Sequence, residues 1–323
     1  MRIFVYEFIT GGGLLDKPLP FSLLQEGHMM LTSLLKDLID SGYKDIICMQ
    51  DDRVERPDLD IEFLPAGPNH DKKRVTCIAD ADAVWIIAPE TAGILQGLVQ
   101  EACHYDCLLL GSTAETIRLA SSKHETLCRL ITHGIPCVPE LHNINPWPQL
   151  GCVIKPDDGV GGEGCVWFRE AAELQDYLAE QDRQSCILQP YTAGVPASLS
   201  LLCLEGNCRI LSCNRQLFEF SEGRGQFRGV IVNELAQQRP ELEDLSVKLV
   251  QAFKGLRGYV GVDLILTDNG PRVLEINPRL TTAYAGLRQS LEINPARLII
   301  NAFRSGKLPD TGALSCQAVP IRL

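Results

Sequence analysis

Residues 261–279 read GVDLILTDNGPRVLEINPR, two apolar-alternating runs around the turn formers Asp268, Asn269 and Gly270. This is the pattern of a β-hairpin. Glu275 and Asn277, two apart on one strand, share a face. Where Asp263 points depends on register. For Val262, Leu264 and Leu266 to share an apolar side with Leu274 and Ile276, the loop must hold an odd number of residues, such as 267–271. Asp263 then lies opposite Glu275. A two-residue Asn269-Gly270 turn would instead split the carboxylates between faces. The apolar pattern thus predicts the odd loop and a cluster of Asp263, Glu275 and Asn277. Two carboxylates and an amide oxygen suit magnesium, with water and phosphate oxygens completing the shell. The plain alternative is a polar face at a sheet edge.

A phosphate partner for such a metal is sought upstream. Gly159, Gly161 and Gly164 satisfy G-x-G-x-x-G, and Gly162 adds a fourth glycine. The dinucleotide fingerprint needs a helix after these glycines. Here the strand-like Cys165-Val-Trp-Phe168 follows, so they form the tip of a hairpin whose backbone N–H groups can still cradle phosphate. Lys155, on the strand leading in, supports that reading over a hairpin with no ligand. The opening run IFVYEFITGGGLL (3–15) is a second candidate phosphate loop. It lacks the glycine spacing and a lysine, and it ends a first parallel strand, where open α/β sheets place ligands.

Outward from these motifs, the first 111 residues alternate strand and helix. Leu31, Leu34, Leu35 and Leu38 repeat at helical spacing and stop at Gly42, while 45–49, 83–88 and 107–111 read as buried strands. This predicts an α/β N-terminal domain with a parallel sheet. Ser112-x-x-Glu115 and Ser122-x-x-Glu125 are capping-box patterns that open two helices. Strands are expected at 153–156, 165–168 and 186–189, with a helix over 170–180. Further strands follow at 198–204, 209–213, 259–266 and 272–277, with one helix near 240–254 and another closing the chain near 294–304. We divide the chain at 1–111, 112–191 and 192–323, an α/β beginning followed by an α+β remainder.

The chain has 323 residues with 45% hydrophobic and 22% charged, and a net charge of −11. Nucleic-acid binding needs a basic stripe to displace counterions, so that partner is disfavoured; Lys72-Lys-Arg74 reads as a solvated loop. No run reaches the ~20 apolar residues of a membrane span. Glu7 interrupts the first apolar run, and no signal-peptide cleavage site follows, so a cytoplasmic location is expected. The 13 cysteines are odd in number and lack C-x-x-C. They read as reduced thiols, and the 103–107 cluster lacks a second ligand pair for zinc.

Taken together, SSKHETLCRLITHGIPCVP (121–139), VIKPDDGVGGEG (153–164), ILQPYTAG (187–194) and GVDLIL with VLEINPR (261–279) resemble the ATP-grasp superfamily. The resemblance covers about residue 112 to the end and implies an ATP-grasp fold there. It implies that Lys123 and Lys155 contact ATP phosphates and that 159–164 closes over them. Gln189, Pro190, Tyr191 and Thr192 would be the hinge that reads adenine, largely through backbone. Asp263, Glu275 and Asn277 would hold two magnesium ions, with manganese able to substitute. Arg279 would stabilise the transferred phosphoryl group. Two departures stand out: Gln189 replaces the acid usual at the hinge, and 194–198 offers no acidic ribose ligand.

The implied chemistry is carboxylate activation by ATP followed by amine attack, with small-molecule substrates and compatibility with a homodimer. VYEFITGGG, SLLQEGHMML, VWIIAPET and EINPRLTTAY are further similar to ligases joining glutamate to tyramine for methanofuran-type one-carbon carriers, with tyrosine as an alternative acceptor. The chain's own residues are compatible with that chemistry: Arg215 and Arg279 are candidates to grip glutamate carboxylates and Glu7 or Glu26 to meet an ammonium, each with a plain surface charge as the alternative. Gly12, at the carboxyl end of the first strand, is expected to border the substrate pocket. A non-catalytic ATP-binding protein would be expected to lose a lysine or an acid of the set. A nucleotide-linked oxidoreductase, with Asp51 or Asp52 as its acid, is disfavoured by the spacing of the opening glycines.

Overall fold

The computed structural model describes residues 1–180, 185–310 and 315–323. The chain begins β1 (Arg2–Glu7), α1 (Phe21–Asp40), β2 (Asp45–Gln50), β3 (Glu62–Pro65), α2 (His70–Asp80), β4 (Ala83–Ile87), α3 (Ile94–Ala102) and β5 (Leu108–Leu109). These strands form one parallel sheet in the order β3-β2-β1-β4-β5. Side chains from both faces of β1, β2 and β4 are buried, which is why these strands read as continuous apolar runs. Strand order reverses between β1 and β4, so their carboxyl ends bound the crevice where such sheets bind ligands.

Next come α4 (Ala114–Ser121), α5 (Lys123–Thr132), β6 (Cys152–Pro156), β7 (Val166–Phe168), α6 (Ala171–Glu180) and β8 (Cys186–Pro190). Ser122 caps α5 as expected, its hydroxyl accepting from the Glu125 N–H at 3.1 Å. The α4 cap is Thr113 rather than Ser112; Ser112 Oγ instead accepts from the Arg257 N–H at 3.2 Å.

The remainder runs β9 (Val195–Leu204), β10 (Asn207–Ser221), β11 (Arg224–Val232), α7 (Arg239–Ala252), β12 (Gly258–Thr267), β13 (Gly270–Asn277), α8 (Tyr284–Leu291), α9 (Pro295–Ser305) and β14 (Val319–Arg322). The second sheet has the order β13-β12-β9-β10-β11-β7-β6-β8, with β14 beside β11. A strand, not the expected helix, therefore closes the described chain. Among the described residues no helix is long and apolar enough to cross a membrane.

The 261–279 hairpin reaches the expected pairing by a different route. Thr267 pairs with Gly270, enclosing only Asp268 and Asn269, and Gly270 takes a left-handed φ of +92. The register shifts between Asp263, opposite Glu275, and Leu264, opposite Val273. Leu274 is thus an extra residue, and this β-bulge supplies the odd count that the sequence reading assigned to the loop. Val273 is fully buried in the core position expected for Leu274, and Leu274 turns to the cavity below.

One core joins the first sheet to the end of the chain: Leu31, Leu34, Leu35 and Leu38 of α1 pack with Tyr284, Leu287, Ile299 and Ile300. Inside it, Asp37 accepts from the Tyr284 hydroxyl at 2.9 Å and from Arg288 at 3.3 Å. Burial pushes its carboxyl from 3.8 up to about 6, outweighing the pull of Tyr284 and Arg288. A carboxyl raised on folding contributes stability below its unfolded pKa and loses it as pH rises through the folded one. Asp37→Asn should therefore gain on the wild type, by on the order of 3 kcal/mol, as pH rises from about 4 to about 7. Denaturant unfolding at several pH values checks this; a difference flat with pH would refute it.

Candidate active site

A cavity of about 390 Å³ opens between the β6–β7–β8 end of the second sheet, the β9–β13 part of the same sheet and Glu26 of α1. Its floor is the bulged hairpin. Asp263 Oδ1 accepts from Gln216 Nε2 at 2.7 Å, and its Oδ2 from Asn277 Nδ2 at 3.2 Å. Burial, and then the charge of Glu275, push the Asp263 carboxyl well above the usual carboxylate range. Burial also presses upward on Glu275, but Lys123, Asp263 and Lys155 together hold it below its ordinary value. Two acids this close call for a proton or a cation between them. Among the described residues no group of three or more His, Cys, Asp or Glu could hold a metal. The expected donors are fewer than that: two carboxylates and the Asn277 amide oxygen, which line the cavity together. That fits magnesium, which keeps waters and takes phosphate oxygens rather than a full protein cage.

The two lysines stand in different surroundings. Lys123, at the first position of α5, is 7% exposed and lies 3.2 Å from Glu275 Oε2. It also donates to the Gly159 carbonyl at 2.6 Å, tying the root of the glycine hairpin to the acids. Lys155, on β6, lines the same cavity. Burial pushes it below the usual lysine range, with Lys123 adding to the shift and Glu275 and Asp263 opposing it.

The glycine hairpin forms the lid. Gly161 and Gly162 have φ of +64 and +74, and both line the cavity with Gly159. A Cβ at Gly162 would meet Phe218 Cε2 at 2.7 Å, so only glycine lets the lid rest on that ring. The base of the lid is pinned to the first domain. The Asp158 carbonyl accepts from Thr91 Oγ1 and its carboxylate from the Ala92 N–H, both at 2.9 Å.

At the other end, Gln189, Pro190, Tyr191 and Thr192 line the cavity beside Ile265 and Leu274. Tyr191's N–H is engaged by the Gly151 carbonyl at 2.9 Å, and proline has none, which narrows the expected backbone reading of a base. Gln189 supplies a different group. Its Nε2 donates to the Val138 carbonyl at 2.6 Å, while its buried Oε1 has no partner. An unpaired buried acceptor suits an exocyclic amine such as that of adenine. Trp167 stacks on Tyr191 with centroids 4.2 Å apart, and Phe220 completes this aromatic wall.

Arg279 lines the cavity and reaches across to the first domain, donating from Nε to Glu90 Oε2 at 2.9 Å. Glu90, just past the end of β4, is 4% exposed and holds the guanidinium in place. Glu90 lies in VWIIAPET, where nothing local marks its role, and Gln216 and Phe218 lie on β10 past Cys213, where the apolar pattern of that strand stops. Only the long-range pairing of β10 shows that they face the cavity.

Three expected substrate residues stand apart. Arg215 is half-exposed, faces Glu234 at 3.7 Å, and is not part of the lining. Glu7 is 2% exposed and closes a turn, accepting from the Ile9 and Thr10 N–H groups at 3.2 and 2.6 Å. Gly12 packs against the 66–70 segment; a Cβ there would lie 2.5 Å from Ala66 Cβ, and its φ is +96. The first domain meets the cavity through Glu26 of α1 and through Glu90's hold on Arg279, not through the glycines. Gly12→Val should therefore cost about 1–3 kcal/mol of stability and leave substrate KM unchanged in the folded protein. A raised KM at unchanged Tm would return the loop to the pocket.

Comparison with known proteins bears on this cavity. The family described as ATP-grasp domain matches residues 120–283, and a pre ATP-grasp 3 domain matches 44–117. The chain is 27% identical over 294 residues to the tyramine–L-glutamate ligase of Methanocaldococcus jannaschii, covering 88% of this chain and 84% of that protein. It is 29% identical over 299 residues to the protein of the same name from Methanocaldococcus fervens, covering 88% and 89%. A crystal structure described as an ATP-grasp superfamily protein from Archaeoglobus fulgidus superposes with TM-score 0.72 at 23% identity, covering 100% of this chain and 99% of that one.

Proposed function

Since the chain belongs to the ATP-grasp family, we propose that it joins a carboxylate to an amine at the expense of ATP, with glutamate as the acid and tyramine or tyrosine as the amine. The observation that carries this reading is the convergence of Asp263, Glu275, Lys123, Lys155 and Arg279 on one lidded cavity. The names of the two Methanocaldococcus relatives support the substrates. A cytoplasmic reaction fits the use of ATP.

A carboxylate is a poor electrophile, and transfer of the γ-phosphoryl group gives it a good leaving group. Lys155 and Lys123 bind phosphate oxygens, and Arg279, held by Glu90, offsets charge on the transferred group. Asp263, Glu275 and Asn277 would hold magnesium, which when bound would supply positive charge against the phosphates. The hairpin carrying Gly161 and Gly162 excludes water, so that the acyl-phosphate meets the amine rather than hydrolysis. Gln189 Oε1 accepts from the adenine amino group.

The test is ADP release by purified protein with magnesium, ATP and glutamate against a panel of amines, with the product identified by mass spectrometry. Tyramine or tyrosine should give the largest rise and the corresponding glutamyl amide. A rise with a different amine would replace the acceptor. No rise with any amine would overturn the ligase reading.

A further inference from the structure

Of the two glutamates that the sequence offers for an ammonium, Glu7 is turned away and Glu26 takes no part in the steps above. Glu26, on α1, lines the cavity from the first domain. Its Oε2 accepts from Thr282 Oγ1 at 2.8 Å, and Thr282 follows Arg279 by three residues. Its Oε1 faces the lid: a Cβ at Gly161 would come within 3.9 Å of it. The neighbouring Gly162 rests on Phe218, which pairs across the strands with Phe227, and both rings line the cavity. Burial holds the Glu26 carboxyl above its ordinary value against the pull of Thr282 and Arg279. The other acids of the lining are otherwise placed. Asp263 and Glu275 face each other, and Glu275 faces Lys123. Glu163 is exposed on the lid, and the exposed Glu219 pairs with Arg228 at 3.4 Å. A sheltered carboxylate whose Oε1 has no hydrogen-bond partner among the described residues, beside Arg279 and a pair of phenyl rings, matches an ammonium on an aromatic tail.

Building on the ligase reading, we propose that Glu26 receives the ammonium of the acceptor amine and removes its proton, with Phe218 and Phe227 walling the aromatic tail. The amine enters as R–NH3⁺, and one N–H proton passes to Glu26. The freed lone pair attacks the acyl carbon, a C–N bond forms, and the carbon–oxygen bond to phosphate breaks. The leaving phosphate takes that electron pair and a second nitrogen proton. The amide keeps the third, and Glu26 returns its proton to solvent.

The test compares tyramine with hydroxylamine, which is uncharged at neutral pH and needs no base, in the full-length protein and its Glu26→Gln variant. The variant should lose about 100-fold or more in kcat/KM for tyramine. Its ATP- and glutamate-dependent hydroxamate formation should stay within about threefold of wild type, which also shows that it folds. An unchanged tyramine rate would overturn the proposal. So would a raised glutamate KM in the hydroxamate assay, which would assign Glu26 to the ammonium of glutamate instead. If the wild type forms neither hydroxamate nor amide, the ligase reading itself fails, a result distinct from both. Phe227→Ala should raise KM about tenfold for tyramine but not for a short alkylamine; equal effects on both would remove the aromatic wall.

Discussion

Glu275→Gln should lower amine-dependent ADP release about 10³-fold while leaving the protein folded. The substitution keeps the shape of the side chain and removes one charge from the acid pair. On the stability side two changes oppose each other. The glutamine loses its ion pair with Lys123, 3.2 Å away, and relieves the repulsion that pushes Asp263 up. The relief at Asp263 offsets part of the loss at Lys123, so the net cost should stay below the roughly 3–5 kcal/mol of a buried pair broken with no such relief. On the activity side nothing compensates, because a neutral amide is a weak magnesium ligand beside transferring phosphate. Two measurements decide it: ADP release, and the rise in Tm on adding magnesium and ATP, which the variant should lose. An unchanged rate would place the reacting phosphates away from Asp263 and Glu275.

The two lysines should separate in stability although both are needed for turnover. Lys123→Met strips Glu275 of its nearest cation and leaves two buried acids facing each other. It also removes the bond to the Gly159 carbonyl. A loss of about 3–5 kcal/mol is expected, the usual effect of leaving a buried charge uncompensated. Lys155→Met removes a cation that burial already disfavours, and among the described residues no ion pair holds it. Its stability should stay within about 1 kcal/mol of wild type or rise, while ATP turnover falls about 100-fold or more. Denaturant unfolding beside initial rates would show the contrast. Equal destabilisation by both substitutions would mean that Lys155, not only Lys123, neutralises the acid pair.

Much of this fold is legible in the sequence because its elements carry their own periodicity. The Leu31, Leu34, Leu35, Leu38 stripe and the apolar runs of β1, β2 and β4 need nothing beyond burial to be recognised. What escaped depends on distant partners. β11 carries Arg224, Gly225, Arg228 and Gly229 in nine residues, and it becomes a strand by pairing with β10 and β14. β14 is four residues long with a proline in it, and it has no local signal at all. α8 keeps helical spacing through Tyr284, Leu287 and Leu291, but Gly286 in its middle obscures it. That glycine is there because a Cβ would lie 2.9 Å from Val232.

The site divides in the same way. Asp263, Glu275, Asn277, Lys155 and the glycines at 159, 161 and 162 can be singled out from short motifs whose chemistry is local, whereas Lys123 is pointed to by the family resemblance alone. Glu90's hold on Arg279 and the Gln216 bond to Asp263 span long stretches of chain, and no spacing rule reaches across them. Gly12 misled for the opposite reason: three adjacent glycines suggest a ligand, when close packing against Ala66 is what requires the one at position 12.

The bulge at Leu274 bears on how this hairpin can vary among descendants of a common gene. Asp263 and Glu275 meet only because an odd number of residues separates them and one of these is absorbed outside the ladder. A single-codon deletion or insertion anywhere between them would change that parity. Unless the bulge were lost or gained at the same time, one acid would turn into the core and the other would stay in the cavity. Point changes in the Asp268-Asn269 turn are tolerable by comparison, and so are insertions in pairs. The length of this segment, more than its composition, is what inheritance must preserve. A shortened copy would lose the acid pair with every one of its ligand residues still in place.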